Sequence, residues 1–314
     1  MSADGTPVAA LAIQTLDAIG HGRPLPPGVE ALNGGTSNHH YRLTIGPEIH
    51  LLRLGRQESH LLGIDRIRER SATMMAETLG VGAELLWTDP TTGALVTRFI
   101  RGSHLAAESA AAPATLRRIV ESLRLVHAAP PLSGRFSPFD AATEMHEMAL
   151  ERGVVPPAEI EDAFVLLARI EAAVPPAPPD VPCHGDLRPG NLIDDGQRIR
   201  IIDWEYAAMG DRFFDLGNLA SHLALSDEGS RELLESYFGE VRPADLARLT
   251  LMRLVSDLHE SCRGFLSHAI APPALDCYAY GTRHLNRFLR GARDDGFLPL
   301  LRRGSQPRMQ GPPV

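Results

Sequence analysis

Apolar and polar positions follow two different periods along this 314-residue chain. Up to about residue 100 the apolar runs are mostly short. Tyr41, Leu43 and Ile45 alternate with polar neighbours, Gly46-Pro47 interrupts them, and Ile49, Leu51 and Leu52 follow. A period of two broken by a turn pair predicts a β-hairpin. Residues 81–102 repeat the theme, with two strands around an Asp89-Pro90…Thr92-Gly93 turn and the second strand running from Ala94 to Ile100. Two helices accompany these strands. Residues 7–20 read as a short amphipathic helix that GHGRPLPPG breaks, and residues 64–80 set Ile64, Ile67, Met74, Met75 and Leu79 against a charged face, with Gly80 as the stop.

From residue 103 the period becomes helical. Residues 112–129 place Leu116, Ile119, Val120, Leu123 and Val126 on one face. Further helices are expected at 141–152 and 157–173. A Pro-rich connector at 174–182 follows, stiff and extended. Three more helices are expected at 227–238, 243–271 and 273–291. The tail 302–314 has no hydrophobic pattern and reads as disordered. No internal repeat is present.

Composition narrows the class. A 44% hydrophobic and 22% charged chain of this length suits a globular protein with a sizeable core. The formal net charge of −8 argues against nucleic acid as a partner, because such binding needs a basic surface. No apolar stretch approaches a membrane span, and the N-terminus lacks the basic start and apolar block of a signal peptide. Cys183, Cys262 and Cys277 form no CxxC pair, so a reducing cytoplasm is the expected setting. The chain contains no Lys, and all 31 basic residues are Arg. Any cationic contact to a phosphate must therefore come from Arg or His.

The chemistry concentrates in residues 183–217, CHGDLRPGNLIDDGQRIRIIDWEYAAMGDRFFDLG. Leu192-Ile193, a turn at 194–197 and the apolar Ile199, Ile201 and Ile202 read as a hairpin. That hairpin would bring Asn191 beside Asp203, with Asp186 on the loop just before. A carboxylate to orient a hydroxyl and an oxygen-ligand pair to hold Mg2+ are what phosphoryl transfer from a nucleotide requires. The acidic residues and amide alone are also compatible with an ordinary polar loop.

The spacing of His184, Asp186, Asn191 and Asp203 resembles the catalytic element of the kinase-like phosphotransferase superfamily. HGD with IDWE resembles its small-molecule branch, which holds choline/ethanolamine kinases and aminoglycoside phosphotransferases. NGGTSN at 33–38 resembles that branch's phosphate loop, LLR at 51–53 its phosphate-binding strand, FDLGN at 214–218 its post-metal segment, and SDLHESCRG at 256–264 its acceptor helix. The resemblance spans about residues 30–290.

It implies an α+β, two-lobe protein-kinase-like fold. The small N-terminal lobe, 1–100, has an antiparallel sheet plus a helix. The larger, mainly helical C-terminal lobe is 101–301, and the tail is 302–314. It implies ATP and Mg2+ as cofactors and a small-molecule alcohol as acceptor. Asp186 is the implied catalytic carboxylate, and Asn191 and Asp203 are the implied metal ligands. Gly34, Gly35, Thr36, Ser37 and Asn38 are the implied phosphate loop. Arg53, held by Glu69, is the implied phosphate cation, and Thr97 to Ile100, including Phe99, the implied span facing the adenine. His127 and Asp215 are expected to be structural, with Asp215 bonding to the catalytic loop. Trp204, Glu205, Tyr206 and Arg263 are candidates for the acceptor pocket. At Arg263 the family helix commonly carries Trp, which puts choline in doubt. An antibiotic-modifying kinase and a nucleotide-binding protein without transfer activity are the alternative readings.

Overall fold

The computed structural model of the chain describes residues 6–32, 38–56, 58–89, 91–174, 180–270 and 275–305. The expected phosphate-loop residues Gly34, Gly35, Thr36 and Ser37 lie outside the described residues, as does most of the expected tail.

The N-terminal part is built as its periods predict. Helix α1, Pro7–Gly20, starts where Thr6 caps the Ala9 amide. Strands β1 (Val29–Leu32), β2 (Asn38–Ile45) and β3 (Glu48–Gly55) follow, then helix α2 (Arg66–Thr78) and strands β4 (Leu85–Asp89) and β5 (Ala94–Arg98). The strands form one antiparallel sheet in the order β1-β2-β3-β5-β4. Leu43, Leu52, Trp87 and Val96 form a small buried cluster with Ala9 and Ala12 of α1. Helix α2 begins two residues later than its apolar pattern suggests. Asp65 is the reason, since its carboxylate caps the Ile67 and Arg68 amides. Strand β1 has no alternating pattern and was not expected.

The C-terminal part is mostly helical. A two-residue strand β6 (Ser103–His104) and a single-turn helix α3 (Ala107–Ala110) lead into helices α4 (Pro113–His127), α5 (Pro138–Glu151) and α6 (Ile160–Ala173). Four short strands then frame the motif region: β7 (Val181–Cys183), β8 (Leu192–Asp194), β9 (Ile199–Ile201) and β10 (Ala208–Gly210). β8 and β9 are the anticipated hairpin, with Leu192 opposite Ile201. Helices α7 (Arg212–His222), α8 (Asp227–Phe238), α9 (Pro243–Ile270), α10 (Cys277–Ala292) and α11 (Phe297–Gly304) complete the chain. No helix was expected between 207 and 225, yet Arg212–His222 forms one that starts where Asp211 caps the Phe213 amide. Regular structure continues past residue 301 to Gly304, since Leu300 and Leu301 pack on the core.

The long α9 is the axis of the C-terminal part and packs against α5, α7, α10 and α11. Its contact with α10 is set by two glycines. A Cβ on Gly264 would lie 2.7 Å from the Gly281 Cα, so the backbones approach as closely as only glycine allows. That crossing carries Glu260 and Arg263 of α9 toward Tyr280 and His284 of α10.

Candidate active site

The loop after β7 is held in one shape by α7. Asp215 accepts the His184 amide at 2.7 Å and the Gly185 amide at 2.8 Å, one on each carboxylate oxygen. Asn218, one turn on, accepts the Leu187 amide and donates to Ser256. His127 donates from Nε2 to Asp215 at 3.1 Å, and its Nδ1 is fixed by the Tyr237 hydroxyl at 2.7 Å. Gly185 has φ +82°, and a side chain there would meet Tyr206 at 3.1 Å. Buried polar groups that are all paired rigidify what they touch. The structural roles expected for His127 and Asp215 are what the contacts show.

His184 ties the two arms of the site together. Its Nδ1 accepts the Asp186 amide and its Nε2 bonds to the Ile202 carbonyl at 3.0 Å. The only tautomer that satisfies both carries its proton on Nε2. Beyond Ile202, Asp203 has φ +68°, a left-handed conformation rare outside glycine and costly to hold. The Asn191 amide nitrogen donates to the Asp186 carbonyl at 2.9 Å and to Asp186 Oδ2 at 3.3 Å. Its amide oxygen is therefore the atom left to ligate a cation. Among the described residues, Asp186 Oδ1 and Asp203 Oδ1 are buried without a hydrogen-bond partner. Such atoms are expensive unless something binds them.

Charges around the two carboxylates differ. Burial alone would raise the Asp186 carboxyl, but the guanidinium groups of Arg263 and Arg188 outweigh it and hold Asp186 below the ordinary carboxylate value. They approach Asp186 Oδ2 to 3.2 and 3.4 Å. Burial pushes Asp203 up, with the carboxylates of Asp186 and Glu69 adding to it against Arg188 and Arg53. A buried carboxylate pushed toward neutrality is relieved by a cation.

Asn191 and Asp203 line a cavity of about 580 Å3. Its lining includes the apolar Leu51, Ala83, Leu95 and Ile193. It also includes Arg53, Glu69 and Arg188. Arg53 and Glu69 form the expected pair, with Arg53 Nη2 2.8 Å from Glu69 Oε2, and both are buried. Arg66 also reaches Glu69, at 2.9 Å. Thr97 and Phe99 border the cavity as expected. The Arg98 and Phe99 amides, however, are already bonded to the carbonyls of Glu84 and Ile49.

The residues after Asp203 separate. Glu205 accepts from the Asn38 amide at 2.8 Å and lies 3.7 Å from Arg53. It therefore clusters with Asn38, Arg53 and Arg66, apart from Tyr206 and Arg263. Trp204 donates to the Ile201 carbonyl, stacks edge-on against His184 and is 3% exposed. It props the catalytic loop. Tyr206 alone of the three stands by Arg263, whose guanidinium lies 5.8 Å from its ring centroid. Tyr206 also borders a cavity of about 260 Å3, where Arg68 and Arg135 face Asp140 and Glu144.

Residues 28–251 match the model of the phosphotransferase enzyme family, APH. The chain belongs to this family. It is similar over 96% of its length to 96% of a choline/ethanolamine kinase family protein from Mesorhizobium loti, at 28% identity and a TM-score of 0.76. Protein LicA of Haemophilus influenzae is 31% identical over 85 residues, 27% of this chain and 32% of LicA. Thiamine kinase of Shigella boydii is 34% identical over 86 residues, 26% of this chain and 30% of that enzyme. The match thus spans about a third of the length of these curated relatives.

Within this APH-family chain, sequence reasoning missed Arg188, Arg66 and Asn218. Arg188 was legible, standing two residues after Asp186 in a chain without Lys. Arg66 has Glu69 three residues on, but its contacts to Asn38 and Glu205 span 28 and 139 residues, and the partners of Asn218 lie 31 and 38 residues away, so no local pattern shows these links. No described helix is long and apolar enough to cross a membrane.

Proposed function

We propose that the protein is an ATP-dependent O-phosphotransferase that acts on a small-molecule alcohol. The observation that carries this reading is the pairing of a fixed Asp186, one oxygen unpartnered, with Asn191 and Asp203 at the wall of a nucleotide-sized cavity. The base stacks against the apolar lining residues, with its edge toward the backbone after Phe99. The phosphates extend toward Arg53 and Arg188. Arg53 Nε is buried without a partner among the described residues, as suits a phosphate contact. Asn191 and Asp203 would hold Mg2+, which supplies charge neutralisation on the phosphates.

Asp186 Oδ1 accepts the hydrogen bond of the acceptor hydroxyl and aims its oxygen at the terminal phosphorus. As the new O–P bond forms and the bond to ADP breaks, the hydroxyl proton passes to Asp186. Its lowered pKa suits this order of events: the carboxylate stays charged as an orienting group and takes the proton late. Arg188, beside both Asp186 and the cavity, offsets the charge that develops on the transferring group. The three described cysteines are buried and unpaired, which fits a cytoplasmic enzyme.

The test is ADP release with a panel of alcohols and MgATP, for the protein and for Asp186→Asn. The variant is expected to lose about a thousandfold or more in kcat while MgATP still raises its melting temperature. Unchanged turnover in Asp186→Asn removes the assignment.

A further inference from the structure

On the side of Asp186 away from Asn191 stands a second buried charge cluster. Arg263 of α9 approaches Asp186 Oδ2 to 3.2 Å, bonds to Glu260 one turn back, and faces the Tyr206 ring. The Tyr280 hydroxyl donates to the same Glu260 oxygen. His222 and His259 lie 3.9 and 3.7 Å from the other. Two carboxylates and an aromatic face, in a buried pocket beside the group that orients the hydroxyl, are the elements that recognise a cationic ligand. Here one of the chain's own side chains has taken that place.

Building on the kinase reading, we propose that Arg263 is a built-in cation that occupies this cation-binding box and restricts the acceptor to alcohols without positive charge. Arg263 is 8% exposed, and its partners Glu260 and Asp186 are 0% and 2% exposed. The ion pairs are desolvated and unscreened by salt, so an ammonium entering beside them meets a like charge at close range. The balance around Asp186 points the same way. Arg263 and Arg188 set two positive charges beside the two negative charges of Asp186 and Glu260, so the cluster offers a substrate cation no net negative charge, even though Asp186 Oδ1 and Glu260 Oε1 have no hydrogen-bond partner among the described residues. The neighbouring 260 Å3 cavity is balanced too, with Arg68 and Arg135 against Asp140 and Glu144. Burial pulls Arg263 toward neutrality, but Asp186 and Glu260 overcome it and fix the guanidinium as charged.

The proposal separates from the kinase reading because it can be read by binding alone. Choline and ethanolamine, uncharged diols and polyols, and short hydroxy acids are compared for ADP release and for binding by calorimetry. Arg263→Ala and Arg263→Gln are run beside the wild-type chain. The wild type is expected to turn over uncharged or anionic alcohols at least about a hundredfold better than choline, from the loss of about one charge-assisted contact. Arg263→Ala empties the box and is expected to bind choline about a hundredfold more tightly than wild type. Choline or guanidinium should also raise its melting temperature. Arg263→Gln keeps the bond to Glu260 and serves where the alanine variant does not fold, with a smaller gain in choline binding. The proposal is overturned if the wild type prefers choline or ethanolamine. It is equally overturned if neither folded variant binds choline better than wild type does. Failure of the kinase reading shows separately, in an Asp186→Asn variant that releases ADP as fast as wild type.

Discussion

Two buried arginine–carboxylate clusters flank the same catalytic loop, and they are built to opposite ends. On the nucleotide side, Arg53, Arg66, Glu69 and Glu205 hold one another along the wall of a 580 Å3 cavity. On the acceptor side, Arg263, Glu260 and Tyr280 fill their own space, and Arg263 touches Asp186 itself. The first cluster presents a cation to an open cavity and leaves Arg53 Nε unpartnered. The second spends its cation internally. On the proposed reading, the same residue types serve a phosphate site on one side, where Arg53 Nε is left over among the described residues, and a barrier to cations on the other, where Arg263 already pairs with both Asp186 and Glu260.

Three substitutions break or sharpen that contrast beyond those at Asp186 and Arg263. The largest effect is expected from Asp203→Asn, which removes the charge of the proposed metal ligand. Its kcat is expected to fall about a thousandfold, roughly 4 kcal/mol in barrier, with a higher Mg2+ requirement. A rate within tenfold of wild type at saturating Mg2+ would remove Asp203 from the metal site.

Asp215→Asn comes next and strikes both sides together, since Asp215 holds the loop they share. The cost is about 2–3 kcal/mol of stability, from a buried carboxylate that takes two amides and His127. Burial alone would raise the Asp215 carboxyl. The bond and charge of His127 and the His184 amide prevail and set it below its ordinary value of 3.8. A depressed carboxylate stabilises the fold above its unfolded value and loses that contribution as pH falls through its folded value. The advantage of wild type over Asp215→Asn should therefore be complete at neutral pH and shrink below about pH 3.8, measured as the difference in chemical-denaturation midpoints. A constant difference down to pH 2.5 contradicts the assignment.

The smallest effect is expected from Glu69→Gln, which loosens Arg53 while Arg66 still caps the site. KM for ATP should rise about tenfold to thirtyfold, roughly 1.5–2 kcal/mol, with the acceptor KM unchanged. A shift in the acceptor KM instead would show that the two clusters are not independent.

Much of the fold and of the candidate site was legible in the sequence. The switch from a period of two to a helical period placed β2, β3, β4 and β5 ahead of the helices, because sterics tie side-chain direction to backbone geometry residue by residue. The catalytic loop and hairpin were legible for the same reason: Asp186, Asn191 and Asp203 are close in sequence, and a ten-residue hairpin has few ways to close. Helix α7 was misread because Asp211 looks like a loop residue until its cap is seen. Glu205, a candidate for the acceptor pocket from sequence, instead contacts Asn38 and Arg53, because its neighbours Asp203 and Tyr206 point to different sides and nothing local says which side it joins.

By itself, the sequence determined the elements, the absence of lysine and the cluster of acidic and amide residues around 186–203. It also determined that any buried side-chain cation had to be arginine or histidine. Tertiary structure alone decided which arginine serves which carboxylate. Arg53 meets Glu69 only once β3 and α2 pack, and Arg263 reaches Asp186 only once α9 packs beside α7 and the loop after β7 that Asn218 ties to it. Ion pairs act over a few ångströms, whereas the residues that form them are separated along the chain by 16 and 77 positions. No local pattern carries that information.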